Sequence, residues 1–158
     1  MKNIKHFQHE TSIIETEDIG VNTKIWAFTH ICKGSRIGSG CVIGEGVYIG
    51  PNVKIGDNVK IQNHSLIYEG VTIEDEVFIG PNVVTTNDIR PTATGSWSER
   101  FRETLIKKGA SVGANSVIIC GNTVGAGAMV GAGSVVTKDV EDNDTVYGNP
   151  AQKARRKQ

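Results

Sequence analysis

The sequence predicts an all-β protein folded as a parallel β-helix, and three observations carry that prediction. An aliphatic residue recurs on a strict period of six, at Ile13, Ile19, Ile25, Ile31, Ile37, Ile43, Ile49, Ile55, Ile61, Ile67, Ile73 and Ile79. Glycine often follows at once, as at Gly20, Gly38, Gly44, Gly50, Gly56 and Gly80. Two residues before the aliphatic position sits a small or β-branched residue, among them Ser35, Cys41, Val47, Val53, Val59, Ser65, Val71 and Val77. Neither a 3.6-residue helix nor two-residue strand alternation places one residue type every six. A six-residue repeat signals a β-helix, in which each hexad forms one flat side of a coil and three hexads close a triangular turn. The aliphatic residue then points at the axis every time, and coils stack at the inter-strand spacing of roughly 4.8 Å.

Composition narrows the function classes. The 158 residues are expected to form one domain, and its core is Ile and Val with few aromatics, which suits a narrow prism. Lysine and arginine (17) balance aspartate and glutamate (17), so no basic excess points to nucleic acid. No apolar run approaches eighteen residues and no signal-peptide core is present, so no membrane insertion and a cytoplasmic location are expected. Cys32, Cys41 and Cys120 are odd in number with no metal-ligand spacing, and Cys41, at a small inward position, reads as a buried thiol.

Taken in order, residues 1–12 read as a polar leader containing His6 and His9. Residues 13–87 form the N-terminal coils, with Thr85 at the inward position after Ile79. The register then fails and resumes at Val112, Ile118, Val124, Val130 and Val136. The interval from Ile79 to Val112 is no multiple of six, which predicts an insertion of roughly 21 residues, a protruding loop over 88–109. Trp97 and Phe101 give that loop apolar anchors, so it is expected to be ordered, and insertions in a solenoid mark its binding face. Residues 110–140 are the C-terminal coils, and 141–158 read as a tail or short helix leaving the prism.

The hexads, the single loop, the run Gly131 to Val140 and the Gly148-Asn149-Pro150-Ala151 ending together resemble the hexapeptide-repeat acyltransferases. The resemblance implies a left-handed β-helix, an exception to the usual right-handed crossover, and a homotrimer with active sites between subunits. Lys60-Ile61-Gln62-Asn63, Tyr68-Glu69-Gly70-Val71, Gly80-Pro81, Thr86-Asn87, Thr104-Leu105 and Lys108-Gly109-Ala110 extend it. With Gly113-Ala114-Asn115 and Cys120-Gly121, these look like the N-acetyltransferases of dTDP- or UDP-linked 3-amino sugars, which serve bacterial surface polysaccharide synthesis. His64 departs from the uronate-acting subgroup, where Asn is expected.

The implied reaction is attack of a sugar amine on acetyl-CoA, with no metal. The amine must be neutral and aimed, the oxyanion held, and the CoA thiolate released. By resemblance Asn87 positions the amine, since an amide accepts a hydrogen bond but is no base at neutral pH. His64 is the candidate base, histidine being the residue type suited to that role near neutral pH; equally, the departing sulfur can take the proton eventually. Gln62, Asn63, Tyr68, Glu69, Trp97 and Arg100 are candidate substrate contacts, and Trp97 and Arg100 suit stacking on or pairing with a nucleotide. Glu69 lies 18 residues before Asn87, one coil below in the same column. For acetyl-CoA the small residues Ala114, Gly131 and Ala132 permit close approach of pantetheine, and Lys138 and Arg155 are placed to meet its phosphates.

Rival readings are an O-acetyltransferase leaning on His64, a non-catalytic β-helix scaffold, and a zinc carbonic anhydrase. The last needs three histidines on one ion, whereas His30 and His64 alone lie in the repeats, 34 residues apart and in different columns.

Overall fold

The computed structural model describes residues 6–154. It is a left-handed parallel β-helix of short strands in three sheets of nine, seven and five strands. Face 1 carries the inward residues Ile25, Ile43, Ile61, Ile79, Val112 and Val130, each pairing with the next coil up. Face 2 carries Ile31, Ile49, Ile67, Thr85, Ile118 and Val136. Face 3 carries Ile37, Ile55, Ile73, Ile106 and Val124. The aliphatic columns are fully shielded, with Ile25, Ile31, Ile43, Ile49, Ile61, Ile67 and Ile79 all at 0 % exposure, so the core is one continuous stack along the axis.

The small residue two places earlier has its own task. Ser35 donates to the carbonyl of Gly50, Ser65 to Gly80 and Ser116 to Gly131, at 2.8, 2.8 and 3.0 Å, and the Cys41 thiol donates to Gly56 at 3.1 Å. Each bond climbs to the coil above, so a buried hydroxyl is satisfied without interrupting the apolar column. Corners turn through left-handed residues, Asn as well as Gly: Asn22, Asn52, Asn58, Asn82, Asn115 and Asn143 have φ between 56° and 62°. Asn tolerates that region better than other residues carrying a Cβ.

Four sequence expectations need correction. The first coil is one residue short: Ile13 pairs with outward His30 and Ile14 with inward Ile31, 17 residues apart rather than 18. Ile14 therefore faces inward and Ile13 is 58 % exposed. The expected leader is partly β structure, because Phe7–Gln8 already pairs with Lys24–Ile25 on face 1. The loop inserts 15 residues rather than about 21, since Ile73 and Ile106 are paired 33 apart where regular neighbours such as Ile55 and Ile73 are 18 apart. The chain rejoins face 3 at Thr104–Ile106, with Ile106 a fully buried inward residue. Finally, the described part of the tail contains no helix. Thr145–Tyr147 continues face 1 with Val146 buried, and Gln152–Lys153 folds back antiparallel upon it.

Candidate active site

Stacking sets the first half of the site. Pro51, Glu69 and Asn87 lie one coil apart, in a column at the corner where face 2 turns into face 3. The loop leaves the prism directly after Asn87 and folds back over this column. An antiparallel bridge joins Asp88 to Phe101 at its base. Arg100 Nε donates to both Asp88 carboxylate oxygens, at 3.2 and 3.0 Å, in a largely shielded ion pair. The Trp97 ring meets Phe101 edge-on at 5.1 Å, and the Phe101 ring sits over Gly70, filling the space a side chain there would take. Gly70 has φ +90°, so only glycine gives both the turn and the seat without strain.

Between column and loop lies an open cleft of about 290 Å³ lined by Tyr48, Pro51, Tyr68, Glu69, Asn87, Asp88 and Trp97. Its walls are aromatic: Tyr48 packs on Tyr68 at 5.6 Å and Trp97 is 46 % exposed. Its polar groups are the Glu69 and Asp88 carboxylates, the Asn87 amide, two phenols and the Trp97 indole N–H. Glu69 Oε1 accepts from Asn52 Nδ2 at 3.0 Å, which holds the carboxylate in place. The Asn87 carbonyl accepts the Arg102 N–H at 3.1 Å, while its carboxamide has no partner among the described residues. The Tyr48 phenol is pushed up to about 12, first by its hydrogen bond to Cys32 and then by burial, so it is a neutral donor at physiological pH.

The structure brings Tyr68, Glu69, Asn87 and Trp97 together, with Arg100 beside them through Asp88. It does not bring His64 to Asn87 within one protomer. Gln62, Asn63 and His64 form the corner between faces 1 and 2, at the opposite edge of face 2. His64 has φ 60°, taking the left-handed position that Asn occupies in other coils, and its imidazole lies over Gly46. Ala114, Gly131 and Ala132 occupy that same corner higher up the prism. Lys138 is exposed after face 2 in the last coils, and Arg155 lies outside the described residues. Sequence reading passed over Tyr48, Pro51 and Asp88. Stepping one coil back from Glu69 reaches Pro51, and the outward neighbour of Ile49 is Tyr48, so column arithmetic carried a signal for both.

Comparison with known proteins adds identity to this geometry. Residues 25–99 match the family described as GMPPB C-terminal domain, and residues 106–138 match the hexapeptide repeat of succinyl-transferase. The chain is 52% identical over 146 residues to a dTDP-3-amino-3,6-dideoxy-alpha-D-galactopyranose 3-N-acetyltransferase of Aneurinibacillus thermoaerophilus, covering 92% of this chain and 76% of that one. A galactoside acetyltransferase solved with coenzyme A superposes with TM-score 0.68 at 28% identity, over 78% of this chain and 64% of that one. The GDP-perosamine N-acetyltransferase of Caulobacter crescentus, solved with CoA and GDP-perosamine, shares the fold with TM-score 0.65 at 18% identity, over 95% of this chain and 56% of that one. The chain is a hexapeptide-repeat acyltransferase and belongs with the N-acetyltransferases of nucleotide-linked 3-amino sugars.

Proposed function

We propose that this protein transfers an acetyl group from acetyl-CoA to the 3-amine of a dTDP-linked 3-amino-3,6-dideoxyhexose, in the cytoplasm, for surface polysaccharide synthesis. The observation that carries the reading is the unpartnered carboxamide of Asn87, facing a cleft walled by Tyr68, Glu69 and Trp97. In the reaction the neutral amine attacks the thioester carbonyl, the C–S bond breaks, an amide forms, and the amine's proton ends on the CoA sulfur. Asn87 would accept one amine hydrogen and aim the lone pair. Trp97 and Tyr68 offer faces for the sugar and base of the nucleotide. Nothing in this sequence of events requires a metal.

The acyl donor fits the corner between faces 1 and 2 in the upper coils. Ala132 and Gly133 are exposed there, and a side-chain carbon at Gly133 would meet nothing within 4 Å, so backbone is open to an extended pantetheine arm. A homotrimer would join this corner to the cleft. Above His30 the outward column of face 2 runs Tyr48, Leu66, Val84, Val117 and Val135, all partly shielded and largely apolar, whereas face 3 presents Arg36, Lys54 and Thr72. Packing three copies about face 2 covers the apolar column. It also sets the His64 edge of one copy beside the Asn87 edge of the next.

The test is acetyl-CoA-dependent thiol release against dTDP-3-amino-3,6-dideoxy-galactose and -glucose, the UDP-linked 3-amino uronate, a 4-amino sugar and a hydroxyl acceptor. Asn87→Ala and His64→Asn run alongside; Asn suits the left-handed corner at 64, so this variant removes the imidazole without straining the backbone. We expect turnover of one dTDP-linked 3-amino sugar, a fall of about 100-fold in kcat with Asn87→Ala, and little change with His64→Asn. Release on the hydroxyl acceptor alone, abolished by His64→Asn, would replace this reading with O-acetylation.

A further inference from the structure

The first and second coils meet at a group of side chains that the acetyl transfer does not use. His30 Nε2 lies 3.3 Å from Glu15 Oε1 and 3.8 Å from Cys32 Sγ, and the three potential ligand atoms all fall within 4.8 Å of one another. We infer that Glu15, His30 and Cys32 form a binding site for a zinc-class divalent cation that fastens the first coil to the second.

Three features of the donor atoms support the assignment. The donor set is one thiolate, one imidazole and one carboxylate, which selects zinc or cobalt over magnesium or calcium. Tetrahedral zinc with ordinary bond lengths holds such atoms about 3.3–3.6 Å apart, and the 3.3 and 3.8 Å separations from His30 Nε2 lie close to that range. A single imidazole nitrogen, Nε2, faces both the carboxylate and the sulfur, which is the direction a shared cation would take.

The surrounding groups already orient these ligands. The free Glu15 oxygen, Oε2, accepts the Lys33 N–H at 3.1 Å. Tyr48 packs against the His30 ring edge-on at 5.7 Å. Metal ligands are characteristically held by such outer contacts. Cys32 is 7 % exposed while His30 and Glu15 are accessible in the single chain, so an ion can enter before copies pack about face 2.

The location gives the site a purpose. Glu15 belongs to the first coil, whereas His30 and Cys32 belong to the second. The first coil is the one that is a residue short, with Ile13 turned out to solvent and Ile14 only partly buried. A terminal coil packs against one neighbour only, so it is the part of a solenoid most in need of a cross-link. Tyr48 also lines the substrate cleft, so a cation here would steady that wall.

Tag-free full-length protein, stripped of metal, is titrated with Zn²⁺ by calorimetry and with Co²⁺ by absorbance. We expect one equivalent to bind, a thiolate-to-cobalt charge-transfer band that Cys32→Ser removes, and a melting temperature that rises with Zn²⁺. Glu15→Gln and His30→Gln should each weaken Zn²⁺ binding about 100-fold, at or beyond the upper end of what loss of a supporting residue causes. Glu15 is exposed, so its variant keeps the fold and should lose the Zn²⁺-dependent rise in melting temperature. Absence of saturable binding would overturn the proposal. So would a band that survives Cys32→Ser, or binding abolished by Cys120→Ser or by replacing His6 and His9 instead. None of these readouts depends on acetyl transfer, so the outcome stands apart from that of the proposed enzyme reaction.

Discussion

The loop that closes the cleft is seated on the prism by one ring over one glycine, and Gly70→Ala tests that seat. An alanine Cβ would land on Phe101 Cζ and come within 3.0 and 3.2 Å of Cε2 and Cε1. Either the ring or the corner must move. A side chain at φ +90° also costs about 1–2 kcal/mol in left-handed strain. Unseating a half-buried phenylalanine forfeits about 1 kcal/mol of burial. The sum, about 2–3 kcal/mol, corresponds to a fall of about 30- to 140-fold in the seated population, since each 1.4 kcal/mol is tenfold. With Trp97 and Asp88 displaced from the cleft, kcat/KM for the nucleotide sugar should fall by up to that factor. The aliphatic columns are untouched, so melting should shift by less than for a cavity such as Ile61→Ala, which costs about 2–5 kcal/mol. The decisive measurement is a double-mutant cycle with Phe101→Ala, following kcat/KM and melting together. Once the ring is gone, Gly70→Ala should cost only the strain. Equal losses in kcat/KM with and without Phe101 would refute the seat and leave backbone strain as the whole effect.

Two further outcomes follow from the buried and ionised groups. Thr104 Oγ1 is a buried polar atom with no partner among the described residues; the carbonyl 15 residues on, that of Ile119, whose counterparts accept from Ser35, Ser65 and Ser116, accepts from Asn122 Nδ2. Thr104→Val should therefore raise stability by about 1 kcal/mol, read as an increase of about 2–4 °C in melting temperature; a decrease would show that the hydroxyl is bonded. The Ala126 N–H at 2.8 Å, and then Lys107, hold the Asp142 carboxyl below its ordinary range. A depressed carboxylate contributes stability above its unfolded pKa, about 4, and loses it as pH falls through the folded value. Asp142→Asn should flatten the stability profile below about pH 4 in chemical-denaturation series; an unchanged acid slope would contradict this.

Much of the architecture was legible because a six-residue period states which residues face the axis, and an 18-residue step states which coils' residues become neighbours. Glu69 beneath Asn87 follows from that arithmetic alone, and both line the cleft. Where the period slipped, the letters hid it. Ile13 and Ile14 are both isoleucine, so losing one residue from the first coil leaves the pattern looking intact, and only strand pairing shows which one faces inward. Likewise Ile106 resembled loop sequence beside Lys107 and Lys108, although pairing with Ile73 returns it to the core.

The sequence by itself therefore determined the β-helix, its three faces, the place where the loop leaves and the column that holds Asn87. Tertiary structure decided the length of the loop, the antiparallel hairpin where a tail or short helix was expected, and the wide separation of His64 from Asn87 within one protomer. It alone assembled the wall of Tyr48 and Trp97 and the meeting of Glu15 with His30 and Cys32. The physical reason is one of range. Inward and outward positions are set by local repeat geometry, whereas a site depends on how a phase slip or an insertion carries one coil's side chains onto another's.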